Sequence, residues 1–329
     1  MQYLGQHFLK NLSAIHKIIA ALDIQSIDKA QGKHSDTIIE IGPGKGALTF
    51  PLLENLKIAD CELRIIAIEK DKKLAEDLRL KIESLKLKNV EIIEGDALRV
   101  LPLIIRNSQF GIHNLNYKIV GNIPYYITGK LLRTISELKN KPALTVLMIQ
   151  KEVAERITAN PPKMNPVRSR SPQDDRSHSP KARTASNGMN LLAAATQYWA
   201  KPEIILELKP KDFDPAPEVD SAVIKLTTKV VIPANEPGSR KRKLDSRLRG
   251  NDSMGEKYYK LIHIIFKQPR KTLINNLKSG LNTPKDAIES TIKSLNLPLN
   301  CRPQDLTIEQ IIKLTNLFCH SALDAESIN

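Results

Sequence analysis

Cysteine is scarce in this chain of 329 residues: Cys61, Cys301 and Cys319 stand far apart, with no Cys-x-x-Cys pair and no Cys/His cluster at zinc spacing. That argues against a disulfide framework and a structural metal, and it suits a reducing cytosol. Long apolar runs are missing too, so no segment of about 20 apolar residues is available to span a bilayer. The first residues, Met1-Gln2-Tyr3-Leu4-Gly5-Gln6-His7-Phe8-Leu9, lack the basic stretch and apolar core of a signal peptide. A soluble, cytoplasmic protein without a membrane partner is expected. Acidic residues are outnumbered, 36 Asp and Glu against 50 Lys and Arg, for a net charge of +14. Such an excess favours a polyanionic partner, because each phosphate neutralised releases bound counterions. Composition alone does not separate RNA from DNA.

What is present is a long alternation of short β-branched runs with helical patterns. Leu12, Ile15, Ile18, Ile19 and Leu22 recur at helical spacing and open the chain with an amphipathic helix. Strands are predicted at residues 37–41, 63–68, 90–93, 117–120 and 143–149, with helices at 72–87 and 129–138 among them. That interval means βαβ units and a parallel sheet. Residues 201–208 and 221–227 add two strands around the proline-rich turn 213–217, making seven. From 258 to 318 the spacing is helical. The expected fold is α/β, a Rossmann-like seven-stranded sheet followed by a small all-α domain. The boundaries expected are 1–229 for the first domain, 257–319 for the second and 320–329 for a flexible tail.

Residues 161–190 and 234–256 fit neither domain. They are rich in Ser, Pro, Arg, Asn and Asp without apolar periodicity, so flexible insertions are expected there, the second within a disordered linker over 230–256. Their net charges are +4 and +2, which leaves +8 with the rest of the chain. The basic bias therefore belongs to the folded body as well.

Four positions along the sheet carry chemistry. Glu40-Ile41-Gly42-Pro43-Gly44-Lys45-Gly46-Ala47 follows a strand and opens a helix, and glycines there, Gly42 and Gly44 above all, let the backbone approach a ligand. The Gly-Lys-Ser/Thr ending of a P-loop is missing, but Gly-x-Gly-x-x-Ala is matched, so a dinucleotide enzyme is one alternative. Glu69, ending the second strand, can accept from both hydroxyls of a ribose, which suits an adenosine-containing ligand of either kind. Asp96, ending the third, can accept from an adenine amine or cap a helix. Asn122-Ile123-Pro124-Tyr125 follows the fourth strand. The exocyclic nitrogen of adenine is a poor nucleophile because its lone pair is delocalised. Two acceptors on its hydrogens, the Asn122 side-chain oxygen and the Ile123 carbonyl, would draw it toward tetrahedral geometry. Pro124 helps to aim that carbonyl. Tyr125 offers a ring on which a flipped base stacks, worth about 1–3 kcal/mol.

Gly5-Gln6-His7-Phe8-Leu9, Glu40 to Thr49, Glu94-Gly95-Asp96-Ala97 and Asn122 to Tyr125 together resemble the KsgA/RsmA (Dim) family of small-subunit ribosomal RNA adenine dimethyltransferases. Gln150 to Arg156, Phe213 to Val223 and Phe266 to Leu273 are similar to that family again. The resemblance implies S-adenosylmethionine as cofactor, contacted by His7, Leu9, Gly42, Glu69, Asp96 and Asn122, with no metal. It implies two methyl groups placed on each of two adjacent adenosines in a 3′-terminal hairpin loop of 16S rRNA, within a small-subunit precursor, by a monomer. Lys267, Arg270 and Lys271 are candidate phosphate contacts. Position 7 is His where many members carry Asn. The Tyr-Gly-Arg-Leu-Ser-Val-like segment usual after Ala159 is replaced by the insertion. Stretches 244–252 and 321–327 resemble peptides encoded by repetitive elements and read as passengers. Two rivals share features: a resistance-type methyltransferase of 23S rRNA adenine, and a non-catalytic RNA-binding assembly factor.

Overall fold

A computed structural model describes residues 6–24, 37–59, 64–107, 110, 112, 117–161, 188–229 and 252–319. Most of both insertions and the whole tail 320–329 lie outside these residues, as does Cys61. The chain divides into two compact units, Met1–Thr158 with Trp199–Lys229, and Ala159–Tyr198 with Val230–Asn329.

The first unit runs β1 (Phe8–Leu9), α1 (Leu12–Ala21), β2 (Thr37–Ile41), α2 (Thr49–Ala59), β3 (Arg64–Glu69), α3 (Lys72–Ser84), β4 (Val90–Glu94), α4 (Ala97–Arg106) and β5 (Tyr117–Asn122). It continues with α5 (Thr128–Glu137), β6 (Leu144–Gln150), α6 (Lys151–Thr158), β7 (Ala200–Leu208), β8 (Phe213–Asp214) and β9 (Ser221–Thr228). Seven strands form one sheet in the order β4-β3-β2-β5-β6-β9-β7. The five from β4 to β6 are parallel, as expected for strands joined through helices. One strand departs from that direction: β9 lies antiparallel to both β6 and β7, so β7 runs with the other five. Only a 3₁₀ turn over Pro210–Asp212 and the short β8 separate β7 from β9, so the chain doubles back instead of crossing over.

Position in the sheet explains composition. Thr37, Ile38, Ile39, Glu40 and Ile41 of β2 are all buried, because a central parallel strand is covered on both faces. β4 and β7, at the edges, keep exposed positions, and β7 accommodates Pro202, whose missing N–H an edge strand tolerates. Ile15, Ile18 and Ile19 of α1 share one core with Ile38, Ile65 and Val120. Asn11 caps α1 by accepting from Ala14 N (3.1 Å), and its Nδ2 donates to Asp212 (2.8 Å). The glycine motif opens α2 as expected, while sequence patterning misses two helices here: α4 with its internal Pro102, and α6. It also misses the short antiparallel pair of β1 and β8, in which Phe8 faces Asp214 and Leu9 faces Phe213.

The second unit is helical: α7 (Leu191–Trp199, its last residue belonging to the first unit), α8 (Asp252–Ile265), α9 (Leu273–Gly280), α10 (Lys285–Ser294) and α11 (Ile308–Cys319). Two boundaries differ from the expected ones. Helix α8 begins at Asp252, so the final residues of the 230–256 segment are helical rather than linker. Met189, Ala193 and Ala194 lie in one core with Tyr258, Leu261 and Leu277, so the sequence before Trp199 packs with this unit rather than within a domain spanning 1–229. The Tyr258 hydroxyl donates to the Ala194 carbonyl (3.0 Å), and the Tyr198 and Tyr258 rings stack 4.0 Å apart. Cys301 is buried, and burial pushes its thiol up to about 11, which leaves it inert. Among the described residues there is no cluster of metal-ligating side chains, and no helix long and apolar enough to cross a membrane.

Candidate functional site

The chain runs outward from β2 through β3 to β4, then returns to lay β5 on the other side of β2. Open α/β sheets bind ligands at such a reversal, beyond the carboxyl ends of the strands. Gly42 (φ +67°) and Gly44 (φ +57°) follow β2 in the left-handed region, where a side chain would be strained. At Gly44 space is short as well, since a Cβ there would meet the Phe8 ring at 2.8 Å, while one on Gly42 would be in ordinary contact, 3.5 Å, with the Asn122 carbonyl oxygen. The turn is therefore both backbone-lined and hard against the end of β5.

Glu69 closes the turn from the β3 side. Its carboxylate accepts from Gly44 N (3.0 Å) and Asp71 N (2.9 Å), although the residue is only 4% exposed. A carboxylate has about four lone-pair sites, so both oxygens keep capacity for ligand hydroxyls. Glu40, one turn deeper, accepts from Thr49 Oγ1 (2.7 Å). Burial pushes its carboxyl up to about 7, against the Thr49 hydrogen bond, and the nearby charge of Glu69 adds to the rise. Asp96 stands further along the edge, where Oδ1 accepts from Leu98 N (3.0 Å) as the cap of α4 and Oδ2 pairs with Lys70 Nζ (3.0 Å). Partial burial works to raise its pKa, but the Lys70 and Leu98 hydrogen bonds outweigh it and hold the carboxyl below the usual range.

Across the turn, β5 ends on Asn122 itself, two residues further than the pattern of 117–120 suggested. Asn122 Nδ2 donates to the His7 carbonyl (2.6 Å). A carbonyl only accepts, so the amide can stand only one way round, with its oxygen left to receive hydrogens. His7 in turn donates from Nδ1 to the Pro215 carbonyl (2.8 Å). Ile123 is buried and donates its N–H to Met148 (3.1 Å), which anchors the loop to β6. Pro124 (φ −54°, ψ 128°) then leads into a 3₁₀ turn over Tyr125–Ile127. The half-buried Tyr125 shares a hydrogen bond with Ser221 Oγ (2.7 Å), and its ring lies 6.1 Å from that of His7 at 24°. Burial raises its pKa, with Ser221 opposing, so at neutral pH the phenol is uncharged.

These groups line an open cleft formed by Gln6, His7, Phe8, Gly42, Gly44, Glu69, Asn122, Ile123, Pro124 and Tyr125. All four residues of the Asn122–Tyr125 quartet are there, with His7, Gly42, Gly44 and Glu69. Two expected contacts are not among the lining residues: Leu9 is buried in the core, and Asp96 sits beyond Glu69 as a helix cap. Gln6 and Phe8 belong to a motif noted in the sequence, yet only the β1–β8 pairing shows that they reach the cleft. Ser221 gives no separate signal, because its partner Tyr125 is remote in the chain. No Lys or Arg lines the cleft among the described residues, while Glu69 does. A sulfonium cation meets a favourable field there, whereas the diphosphate of a dinucleotide would face that carboxylate uncompensated. Glycine turn, ribose-type acceptor and anionic lining thus fit S-adenosylmethionine.

Comparison with known proteins agrees. A family profile described as ribosomal RNA adenine dimethylase matches residues 2–168. The chain is 36% identical over 318 residues to ribosomal RNA small subunit methyltransferase A of Synechocystis sp., covering 95% of this chain and 94% of the relative. It is 32% identical over 317 residues to the protein of that name from Mycoplasma capricolum, covering 96% of each. Among solved structures, a dimethyladenosine transferase from Plasmodium falciparum superposes with a TM-score of 0.67 at 23% identity, over 95% of this chain and 98% of that one. The 23S rRNA methyltransferase ErmE gives 0.57 at 19% identity, over 94% and 98%. At such identities these two likenesses concern the fold. The profile over residues 2–168 and the relatives that span nearly the whole chain place this protein in the ribosomal RNA adenine dimethylase family of S-adenosylmethionine-dependent enzymes.

Proposed function

We propose that the cleft is the methyl-transfer site and that the target is the exocyclic N6 of two adjacent adenosines in the 3′-terminal hairpin loop of 16S rRNA, each dimethylated within a small-subunit precursor. The observation that carries the chemistry is the orientation of Asn122. Its NH₂ is engaged by the His7 carbonyl, so its Oδ1 is the acceptor left at the cleft, beside the glycine turn. Oδ1 and the Ile123 carbonyl hold the two hydrogens of an adenine amine and restore its lone pair. Tyr125, fixed by Ser221 and uncharged, supplies the stacking face for a base taken out of the RNA. His7, Gly42, Gly44, Glu69 and Asn122, which line the cleft, hold the cofactor, Glu69 through the ribose hydroxyls. When bound, S-adenosylmethionine supplies an activated methyl group with its own leaving group. No strong general base is then needed, and positioning carries most of the barrier reduction. The small subunit is favoured by the relatives, which are small-subunit ribosomal RNA methyltransferases by name.

The test is incubation of the full-length protein with labelled S-adenosylmethionine and ribosomal subunits lacking these methyl groups, followed by mapping of the label. Two adjacent adenosines near the 3′ end of 16S rRNA are expected. Label in the large subunit selects a 23S rRNA enzyme instead, and cofactor binding without transfer selects a non-catalytic assembly factor. In the same assay Asn122→Ala lowers transfer by about 10²-fold or more, the scale of losing an oriented polar contact to the reacting group, while S-adenosylhomocysteine still binds. Near-normal turnover in that variant removes Asn122 from the mechanism.

A further inference from the structure

The two side chains assigned to the target base, Asn122 and Tyr125, are fastened to one stretch of chain, residues 213–221. At its near end β8 pairs with β1, and the Pro215 carbonyl accepts from His7 Nδ1 (2.8 Å). Residue 7 is thereby held with its own carbonyl on Asn122 Nδ2 (2.6 Å). At the far end Ser221 shares a hydrogen bond with the Tyr125 hydroxyl (2.7 Å). Ser221 is a firm support. It is 0% exposed and opens β9, where it pairs with Gln150 of β6 on one side and Leu208 of β7 on the other. Tyr125 has less of its own. The 3₁₀ turn that it opens is held by backbone bonds, Ile127 N to the Pro124 carbonyl (3.0 Å) and Thr128 N to the Tyr125 carbonyl, with no side-chain cap at its start. Such bonds fix the main chain and leave the tilt of the ring to the side chain's contacts, of which the bond to Ser221 is the directional one.

We propose that Ser221 is a positioning residue for the rate of methyl transfer. By holding the Tyr125 hydroxyl it sets the tilt of the ring against Asn122 Oδ1, so that a base stacked on the ring presents its amine to that oxygen and to the Ile123 carbonyl. The proposal rests on the reading of the cleft as the methyl-transfer site. Stacking by itself tolerates many ring orientations, because every base has a π-face. Transfer does not, since a shift of about 1 Å at the reacting centre can cost on the order of 10²-fold. The hydroxyl pair therefore bears on the rate of transfer rather than on how tightly base or cofactor is held. Ser221 is not among the residues lining the cleft, so it reaches the reaction only through Tyr125.

The experiment is a double-mutant cycle on the full-length protein: Ser221→Ala, Tyr125→Phe and the two together. Each is assayed for single-turnover methyl transfer to small subunits lacking these methyl groups, over a range of subunit concentrations, and for S-adenosylhomocysteine affinity by calorimetry. Either single variant is expected to slow transfer at saturation about five-fold, the scale of one hydrogen bond between neutral groups. The pair is then no slower than the slower single variant, because both substitutions remove the same bond. The subunit concentration giving half the maximal rate, and the affinity for S-adenosylhomocysteine, stay as in the unsubstituted protein. Undiminished transfer in Ser221→Ala overturns the proposal. So does a loss of about 25-fold in the pair, the product of the single effects, which would mean that Ser221 acts by a route other than Tyr125. A matching loss of S-adenosylhomocysteine affinity in Ser221→Ala overturns it too, by making Ser221 a support of the whole site. If the unsubstituted protein binds S-adenosylhomocysteine yet transfers no label, the methyl-transfer reading of the cleft falls and the role of Ser221 with it.

Discussion

Glu40 shows how one side chain can serve the site at the expense of the fold. It is 1% exposed in the central strand, one hydrogen bond from Thr49 and close enough to Glu69 to feel its charge. Its carboxyl titrates near 7 in the folded protein against 4.5 when unperturbed. The folded state therefore binds the extra proton between those values. The contribution to stability is fully present below about 4.5 and is lost as pH rises through about 7. Glu40→Gln keeps an acceptor for Thr49 and cannot ionise. It is expected to be more stable than the unsubstituted protein by about 3 kcal/mol at pH 8, since each pKa unit corresponds to about 1.4 kcal/mol. The gap closes toward pH 4.5, as denaturant titrations at a series of pH values would show. An equal gap at all pH values would mean that Glu40 does not change its protonation.

At the scale of elements, Asn276 of α9 organises the connection from α8. The residue is 2% exposed, accepts from Gln268 N (3.1 Å), and donates from Nδ2 to the carbonyls of Gln268 (3.0 Å) and Thr272 (3.1 Å). One amide thus ties down the turn that carries the exposed Lys267, Arg270 and Lys271. Asn276→Leu keeps the volume and leaves backbone groups of that turn without a partner. Stability is expected to fall by about 2–4 kcal/mol, the penalty for stranding buried polar groups. Thermal or denaturant unfolding measures it, and a loss below about 0.5 kcal/mol, the scale of an ordinary surface change, would show the turn to be held by other means.

For the whole molecule the net charge of +14 makes its own prediction. If the excess cations meet phosphates, affinity for small-subunit RNA falls steeply with salt, on the order of 10²-fold or more between about 50 and 200 mM. Affinity for S-adenosylhomocysteine changes little over that range, because no Lys or Arg lines the cleft among the described residues. Parallel salt dependences of the two ligands would mean that the basic surplus is not a phosphate-binding device.

Most of the parallel sheet was legible because each strand is a run of β-branched residues bounded by turn formers, and local pattern is enough to place such a run. The glycine turn, Glu69 and the Asn122 quartet were legible for a related reason: each sits where a strand ends. Helix α4 was not, since Pro102 breaks its pattern, and β1 was not, since two residues have no period. The affinity of Leu191–Tyr198 for the helical unit also lay beyond reach, because a short apolar run does not say which core will take it. The sequence by itself determined the order of strands and helices, the family and the residues that carry the chemistry, all of which are local properties of the chain. Only the tertiary structure decided that Asn122 faces the His7 carbonyl, that Tyr125 and Ser221 bond across 96 residues, and that Gln6 and Phe8 join the cleft while Leu9 and Asp96 stand behind it. Those relations depend on which remote backbones pair, and pairing is settled by the packing of the sheet as a whole rather than by any stretch of it.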